Sequence, residues 1–446
     1  MLVCRIFAEV VLGLSIGQVA PNAPWFQDIP SYVTDDWGKS VTHPDVVRFD
    51  TAWNGWKYWI VYTPYPMDLY ENPSIAVSRD GANWEVPQGL TNPIVEGPGP
   101  ERTNFHHNCD PDMVYDGDRN LLRVYFNRTY NDDYAEIMSV ESTDGVHWTA
   151  PQKLFGMSPN PLSPTVVRVN GTWYMWYTNS GQLQRRQSAD GVTWSEPENT
   201  NTWLPSEKSP WHQDVIYVDS VSEYWMAMTT HPDFTVYFLR SKDGLVWDTL
   251  LEPLIGPGIP GAWDGDHPYR ASLFWDKVES RLRIWYSAWG ESPLQGEKKI
   301  GYTEVSTHKV LDGSFVSADG NIDGLIVADP VFMEVVGEGG TRTAAVTCGN
   351  GVGQWSAKVT EGGEWLTILS DSEGTGNGQI IIQCGANAGI GGRTGKISIE
   401  SGEAENSPVE VEIHQSWNPC AVSPLLVSVL PGFGFGFGLL RGSRDE

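Results

Sequence analysis

The sequence predicts an all-β fold: a five-bladed β-propeller over 25–335 followed by a β-sandwich over 336–417. Three observations lead there. A short hairpin motif recurs four times at blade-length intervals, and a pair of strand-like runs of constant texture stands upstream of each copy. The composition, with 47 glycines, 30 prolines and 21 tryptophans in 446 residues and an apolar fraction of 40%, suits many short strands joined by tight turns rather than long helices.

The hairpins are SRDGANW (78–84), STDGVHW (142–148), SADGVTW (188–194) and SKDGLVW (241–247), whose starts lie 64, 46 and 53 residues apart. In each, glycine accepts positive φ and aspartate can bond its own backbone, while the serine braces the turn and the tryptophan anchors the next strand. These aspartates therefore read as turn formers and not as reactive groups. The paired strands run HPDVVRFD and KYWIVYTPY in the first unit, DPDMVYD and LLRVYFNRTY in the second, and SPTVVRV and TWYMWYTN in the third. HQDVIYVD and EYWMAMTTHP follow in the fourth, then HPYRASLFWD and RLRIWYSAW in a fifth unit that continues into KKIGYTEV without a hairpin. The fifth sheet needs an added outer strand, supplied either by the stretch before His43 or by GLIVADPVF at 324–332, and a ring closed in this way has no loose end.

From 336 onward, runs such as TRTAAVTC, QWSAKVT, GQIIIQC, RTGKISIES and PVEVEIHQ alternate β-formers with Gly, Asn and Ser turns, the pattern of a β-sandwich. Its Trp355 and Trp365 fall inside strand patterns and read as core. Residues 1–24 resemble an export signal interrupted by Glu9, and 418–446 form a Gly/Phe-rich tail. An extracellular, periplasmic, cell-surface or virion location is the expectation.

Lys+Arg 29 against Asp+Glu 56 gives a formal charge of -27, a surface that repels phosphate backbones and anionic lipid, so nucleic acid is not an expected partner. No run of 18 apolar residues marks a spanning helix, and membrane insertion is not expected. Five cysteines do not make a disulfide scaffold; Cys348 and Cys384 stand in neighbouring strand runs where a pair could form, and Cys4, Cys109 and Cys420 read as free thiols. Phosphate-binding loops, dinucleotide-binding glycine motifs and a G-x-S-x-G elbow are absent, which removes kinase, dehydrogenase and esterase readings.

The heads of the innermost strands converge on the mouth of a propeller's channel. Here they carry His43 and Asp45, Asp110 and Asp112, Ser163 and Thr165, His212 and Asp214, then Asp266, His267 and Arg270. Carboxylates brought together in a partly closed mouth separate in pKa, as glycosidic cleavage by an acid and a base requires. The competing reading is that the inner aspartates bond the backbone of adjacent blades and close the ring. His43, His212, Asp214, Asp266, His267 and Arg270 suit substrate recognition, with Trp211 and Trp263 among the aromatics of the right type to stack on sugars; Arg270 could take a carboxylate in bidentate fashion. Long-range spacing of His and Asp supports no zinc motif, so no cofactor is required and a structural calcium or a water network is the expected occupant of the axis.

The blade count, strand heads and hairpins resemble the five-bladed propeller glycoside hydrolases that include arabinanases, xylosidases, arabinofuranosidases and fructan-cleaving enzymes. The resemblance spans about 40–332 and implies hydrolysis of a glycosidic bond in a poly- or oligosaccharide, by inversion. It places the general base on Asp45, or on His43 if His-Pro overlays the family's Asp-Pro, and the tuning carboxylate on Asp110 or Asp112. The family's blade-three acid falls on SPTVV (163–167), which has no carboxylate, so Glu71, Glu136 and Glu291 stand as alternative acids. A non-catalytic glycan-binding propeller is the competing reading. Residues 336–417 resemble the BACON domain, an immunoglobulin-like module of carbohydrate-active proteins, on Trp355, Trp365-Leu366, Asn387, Arg393-Thr394-Gly395 and His414-Gln415.

Overall fold

The computed structural model describes residues 25–416 except 28, 32–39, 66–70, 98–106, 132–133, 206, 257, 259–261, 291–297, 307–309, 312 and 390. The expected export signal, the C-terminal tail and Glu291 lie outside the described residues.

Five antiparallel sheets follow one another along the chain. Blade one comprises Val41–Trp53, Trp56–Pro64 and Ser74–Ser78, its outer edge reduced to a bridge between Val77 and Glu85. Blade two runs His107–Asp116, Leu121–Asn131, Tyr134–Ser142 and Gln152–Met157, and blade three Pro161–Val169, Thr172–Asn179, Gln182–Ser188 and Glu198–Asn199. Blade four is built on Ser209–Val218, Glu223–His231, Val236–Ser241 and Val246–Leu250. Blade five comprises His267–Asp276, Arg281–Trp289 and Lys298–Ser306, and its fourth strand is Trp25–Gln27, paired antiparallel through Phe26 and Gly301. Of the two candidates for closure, the stretch before His43 serves; 324–332 does not. Gln27 adds a side-chain latch, donating to the Gly81 carbonyl at 2.9 Å and accepting from the Trp84 indole at 2.6 Å.

Apolar faces of successive blades pack into one cluster per interface: Trp59, Val61 and Val124 between blades one and two, Tyr125, Ile137 and Trp173 between two and three, and Trp176, Met226 and Trp247 between three and four. Trp225, Leu273 and Ile284 fill the next gap, and Tyr58, Trp285 and Ile300 the last. Hairpin glycines join these contacts. Gly145 (φ 77°) lies so close to Trp59 that a Cβ would sit 2.1 Å from its ring, and the carbonyl of Gly244 accepts the Trp176 indole N–H at 2.8 Å. In every copy the aspartate accepts backbone N–H groups two and three residues on, as Asp190 does from Val192 (2.8 Å) and Thr193 (2.7 Å). Those bonds, first Thr193 then Val192, hold the Asp190 carboxyl down at about 2.

The second domain is a sandwich of two sheets. Its first strands are Ile326–Asp329 and Phe332–Val335, ahead of the boundary expected at 336. Trp355 and Trp365 are buried in its core. Cys348 and Cys384 are free thiols, because antiparallel pairing of Gly340 with Cys384 and Val346 with Gly378 sets them at opposite ends of adjacent strands. The sandwich docks on blade four: Phe315–Val316 extend that sheet, Leu251 packs with Leu325 and Val327, and His414 Nδ1 reaches the Gly258 carbonyl at 3.0 Å.

Candidate functional site

All five innermost strands carry a register irregularity at the head. Such bulges re-aim side chains. In blades one to three the head residues His43, Asp110 and Ser163 take left-handed φ of 51°, 51° and 48°. The strand period of two then sends the head and the residue two further on toward the axis at different depths, giving two tiers.

The inner tier is Asp45, Asp112, Thr165, Asp214 and Ser272. Each accepts a backbone N–H from the next blade: Met113 to Asp45 (2.5 Å), Val166 to Asp112 (3.0 Å), Val215 to Thr165 (3.0 Å), Leu273 to Asp214 (2.6 Å) and Val46 to Ser272 (3.0 Å). The circuit passes from blade five back to blade one and so fastens the ring. Oxygens of Asp45, Asp112 and Asp214 also lie within 4.8 Å of one another. Burial raises the Asp45 carboxyl; burial and then the charges of Asp45 and Asp214 raise Asp112 well above the usual range. Asp214 rises to about 7, by burial first and the Asp45 charge second.

The outer tier is His43, Asp110, Ser163, His212 and Arg270, all buried. His43 Nε2 lies 3.1 Å from Asp110 Oδ1 without the alignment of a hydrogen bond, while His43 Nδ1 meets Thr63 Oγ1 and Glu71 Oε1, each at 3.0 Å. His212 Nδ1 bonds Ser163 Oγ, and its Nε2 is buried with no hydrogen-bond partner among the described residues. Asp110 Oδ2 accepts from Ser163 N at 3.0 Å and Asn127 at 3.3 Å. Tyr269 packs on both imidazoles, with centroids 5.5 Å from His43 and 4.6 Å from His212. Burial, and then the charges of His212, Lys298 and Arg270, hold His43 well below the ordinary histidine range. Burial, Arg270 and Lys298 do the same to His212. Both rings are thus neutral at neutral pH; His43 approaches Asp110 Oδ1 through Nε2 (3.1 Å) and His212 approaches it through Nδ1 (3.9 Å).

That arrangement has the donors of a metal centre. Ligand atoms of His43, Asp110 and His212 lie within 4.8 Å of one another. Atoms coordinating one ion at about 2.0–2.2 Å stand roughly 3 Å or a little more apart, the separation of His43 Nε2 and Asp110 Oδ1. Glu71 behind His43 supplies the outer partner that fixes a ligating imidazole. Cys109 lies close to Glu71 and Asp110, but burial and those two carboxylates push its thiol well up, so it stays protonated.

Of the residues read from sequence, His43, Glu71, Asp110, His212 and Arg270 meet at the mouth, and Asp45, Asp112 and Asp214 lie in the inner tier. Glu136 is placed elsewhere: it bonds Lys153 (2.6 Å) and Tyr130 (2.8 Å). Burial raises its carboxyl, but those bonds outweigh it and the group sits below its ordinary value, the opposite of what a general acid needs. Asp266 is half-exposed and pairs with His267 at 3.2 Å; His267 stacks between Phe234 (4.6 Å) and Trp289 (5.7 Å). Trp211 stands beside His212 at 5.6 Å, whereas Trp263 packs on Tyr286 (5.1 Å) at the core between blades four and five. Ser163 joins the mouth as the expected blade-three head, and Thr63, Tyr269 and Lys298 join the site unforeseen. Tyr269 and Lys298 adjoin legible heads or strands, and only the bulge at Pro268–Arg270 turns Tyr269 toward the mouth.

No family model matches the chain. It is 35% identical over 355 residues, 65% of its length, to the A type blood N-acetyl-alpha-D-galactosamine deacetylase of Flavonifractor plautii, and spans 45% of that protein. The crystal structure of an N-acetylgalactosamine deacetylase from F. plautii in complex with blood group B trisaccharide is similar at a TM-score of 0.59 and 31% identity, over 65% of this chain and 96% of that one. A thermostable family-43 glycoside hydrolase is similar at a TM-score of 0.47 and 14% identity, over 62% and 92%.

Proposed function

Because the chain belongs to the family of the F. plautii N-acetylgalactosamine deacetylase, we propose that it is a carbohydrate N-deacetylase, hydrolysing the acetamido group of an amino sugar within a glycan. The observation that carries this reading is the pair of neutral histidines beside Asp110 at the mouth of the propeller, both with a buried Nε2 that has no hydrogen-bond partner among the described residues. In the reaction a water oxygen bonds to the amide carbonyl carbon and the C–N bond breaks. The nitrogen leaves as an amine with a proton, and the acyl group leaves as a carboxylate.

His43, Asp110 and His212 would hold a divalent cation, which when bound polarises the carbonyl and lowers the pKa of water. Two imidazoles and one carboxylate suit a transition metal better than the calcium expected from sequence, since calcium takes oxygen ligands. With the proton on Nδ1, toward Glu71 and Thr63 from His43 and toward Ser163 Oγ from His212, each ring would keep its Nε2 lone pair for a ligand. The near-complete burial of both rings keeps bulk water from the reacting amide.

Glycosidic cleavage finds support in the raised Asp112 and Asp214, but both spend an oxygen on a neighbouring blade's N–H, and blade three offers Ser163 where an acid would stand. Incubation with a panel of N-acetylated glycans, read by mass spectrometry with and without chelator, decides between them. The expected product has lost one acetyl group with every sugar retained, and chelation abolishes it. Released sugars that keep their acetyl groups would overturn the proposal.

A further inference from the structure

Arg270 is the one outer-tier head whose polar atoms are all unspent. It is fully buried, and among the described residues none of Nε, Nη1 and Nη2 has a hydrogen-bond partner. The other heads are engaged: His43 with Thr63 and Glu71, Asp110 with Ser163 and Asn127, His212 with Ser163. A guanidinium keeps its charge in any protein environment and offers five N–H donors in a plane. Burying those donors without acceptors is costly, so something small that accepts hydrogen bonds belongs beside them.

We propose that Arg270 is the receptor for the carboxylate of the released acyl group, so that the mouth binds free acetate; this rests on the deacetylation reading. The guanidinium stands within electrostatic reach of His43, His212 and Asp110, the groups that face the reacting amide. Among the described residues no carboxylate makes an ion pair with it, and a planar acetate matches its fork in bidentate fashion. The neighbouring buried cation, Lys298, is enclosed by the faces of Tyr65 and Tyr269, each at 3.5 Å, and Trp289 at 4.8 Å. An acidic sugar would have to bring its ring to a guanidinium that is fully buried, whereas acetate brings one methyl group.

The test is titration of the full chain with carbon-13-labelled acetate, followed by NMR, with glucuronate as the second arm and without any turnover substrate. Saturable acetate binding that weakens at least about tenfold in Arg270→Gln and is partly restored in Arg270→Lys, with no binding of glucuronate, is expected. Acetate affinity unchanged in Arg270→Gln, or no saturable binding to the parent, would overturn the proposal and leave a water-bridged structural arginine. Glucuronate bound more tightly than acetate would overturn it in favour of an acidic sugar. If Arg270→Gln fails to unfold cooperatively, Arg270→Lys decides alone, an unchanged affinity counting against. Arg270-dependent acetate binding in a chain that removes no acetyl group would keep this site and sink the deacetylase reading; acetyl release without such binding does the reverse.

Discussion

His43 and Asp45 are two residues apart on one strand, both face the axis, and they do different work. His43 belongs to the donor set at the mouth and Asp45 to the circuit that fastens blade two. Substitution separates the tiers. His212→Ala is expected to abolish metal uptake and deacetylation while leaving the unfolding midpoint near the parent's. Asp112→Ala, which removes the acceptor of Val166 N, is expected to cost about 1–3 kcal/mol of stability, with metal affinity retained, as read by denaturant titration and calorimetric metal binding. A stable Asp112→Ala that is catalytically dead would return the aspartate to the reaction. The histidines also set a pH dependence. Both are held below 6.5, so their neutral ligand form persists as pH falls, while burial raises the third ligand, Asp110; any loss of metal affinity between about pH 7.5 and about pH 6 is expected to follow one proton, on the carboxylate, and to stay within about tenfold per pH unit. A steeper loss would contradict it. The heads were readable from sequence because the blades repeat. The division of labour was not, since a carboxylate enclosed in the circuit at the axis and one set beside the two histidines at the mouth have the same spacing.

Among the elements, the hairpins were legible down to the bond. Ser-x-Asp-Gly specified a turn, and the turn formed with its aspartate on the next two N–H groups. What the motif did not reveal is that its glycine also docks on the preceding blade, a contact between residues 86 apart in the case of Trp59 and Gly145. Gly145→Ala combines left-handed φ with a Cβ 2.1 Å from the indole. Thermal or denaturant unfolding is expected to register a loss of about 2–4 kcal/mol, whereas Gly171→Ala, with nothing within 4 Å, loses only the backbone part. Equal costs at both positions would refute the docking role. The cysteine pair illustrates the opposite limit, since neighbouring strands were legible and their register was not.

For the whole molecule, closure rests on side-chain acceptors at the axis and on the Trp25–Gln27 strand at the rim. Three of those acceptors, Asp45, Asp112 and Asp214, are carboxyls raised by burial. Asp214 moves from 3.8 to about 7 on folding, so the folded chain holds the proton more tightly and the group's stabilising contribution is complete below about pH 4. It declines as pH rises toward 7. Denaturant titrations across that interval are expected to show a downward component that Asp214→Asn removes; an identical slope in the variant would assign the titration to another group. The sandwich, whose first strands begin ahead of its composition shift, lies against blade four, and only strand pairing, which composition cannot show, marks where it starts.

The shared left-handed turn of His43, Asp110 and Ser163 makes the mouth a set of interchangeable sockets. Each blade offers the axis one position whose backbone is fixed by the bulge and whose side chain is free to vary, so a lineage can change chemistry by exchanging single residues while the ring beneath stays fastened. In this chain the blade-three socket holds a buried serine that bonds His212 Nδ1. Position 163 is therefore where an acid or a further ligand would stand directly beside both His212 and Asp110.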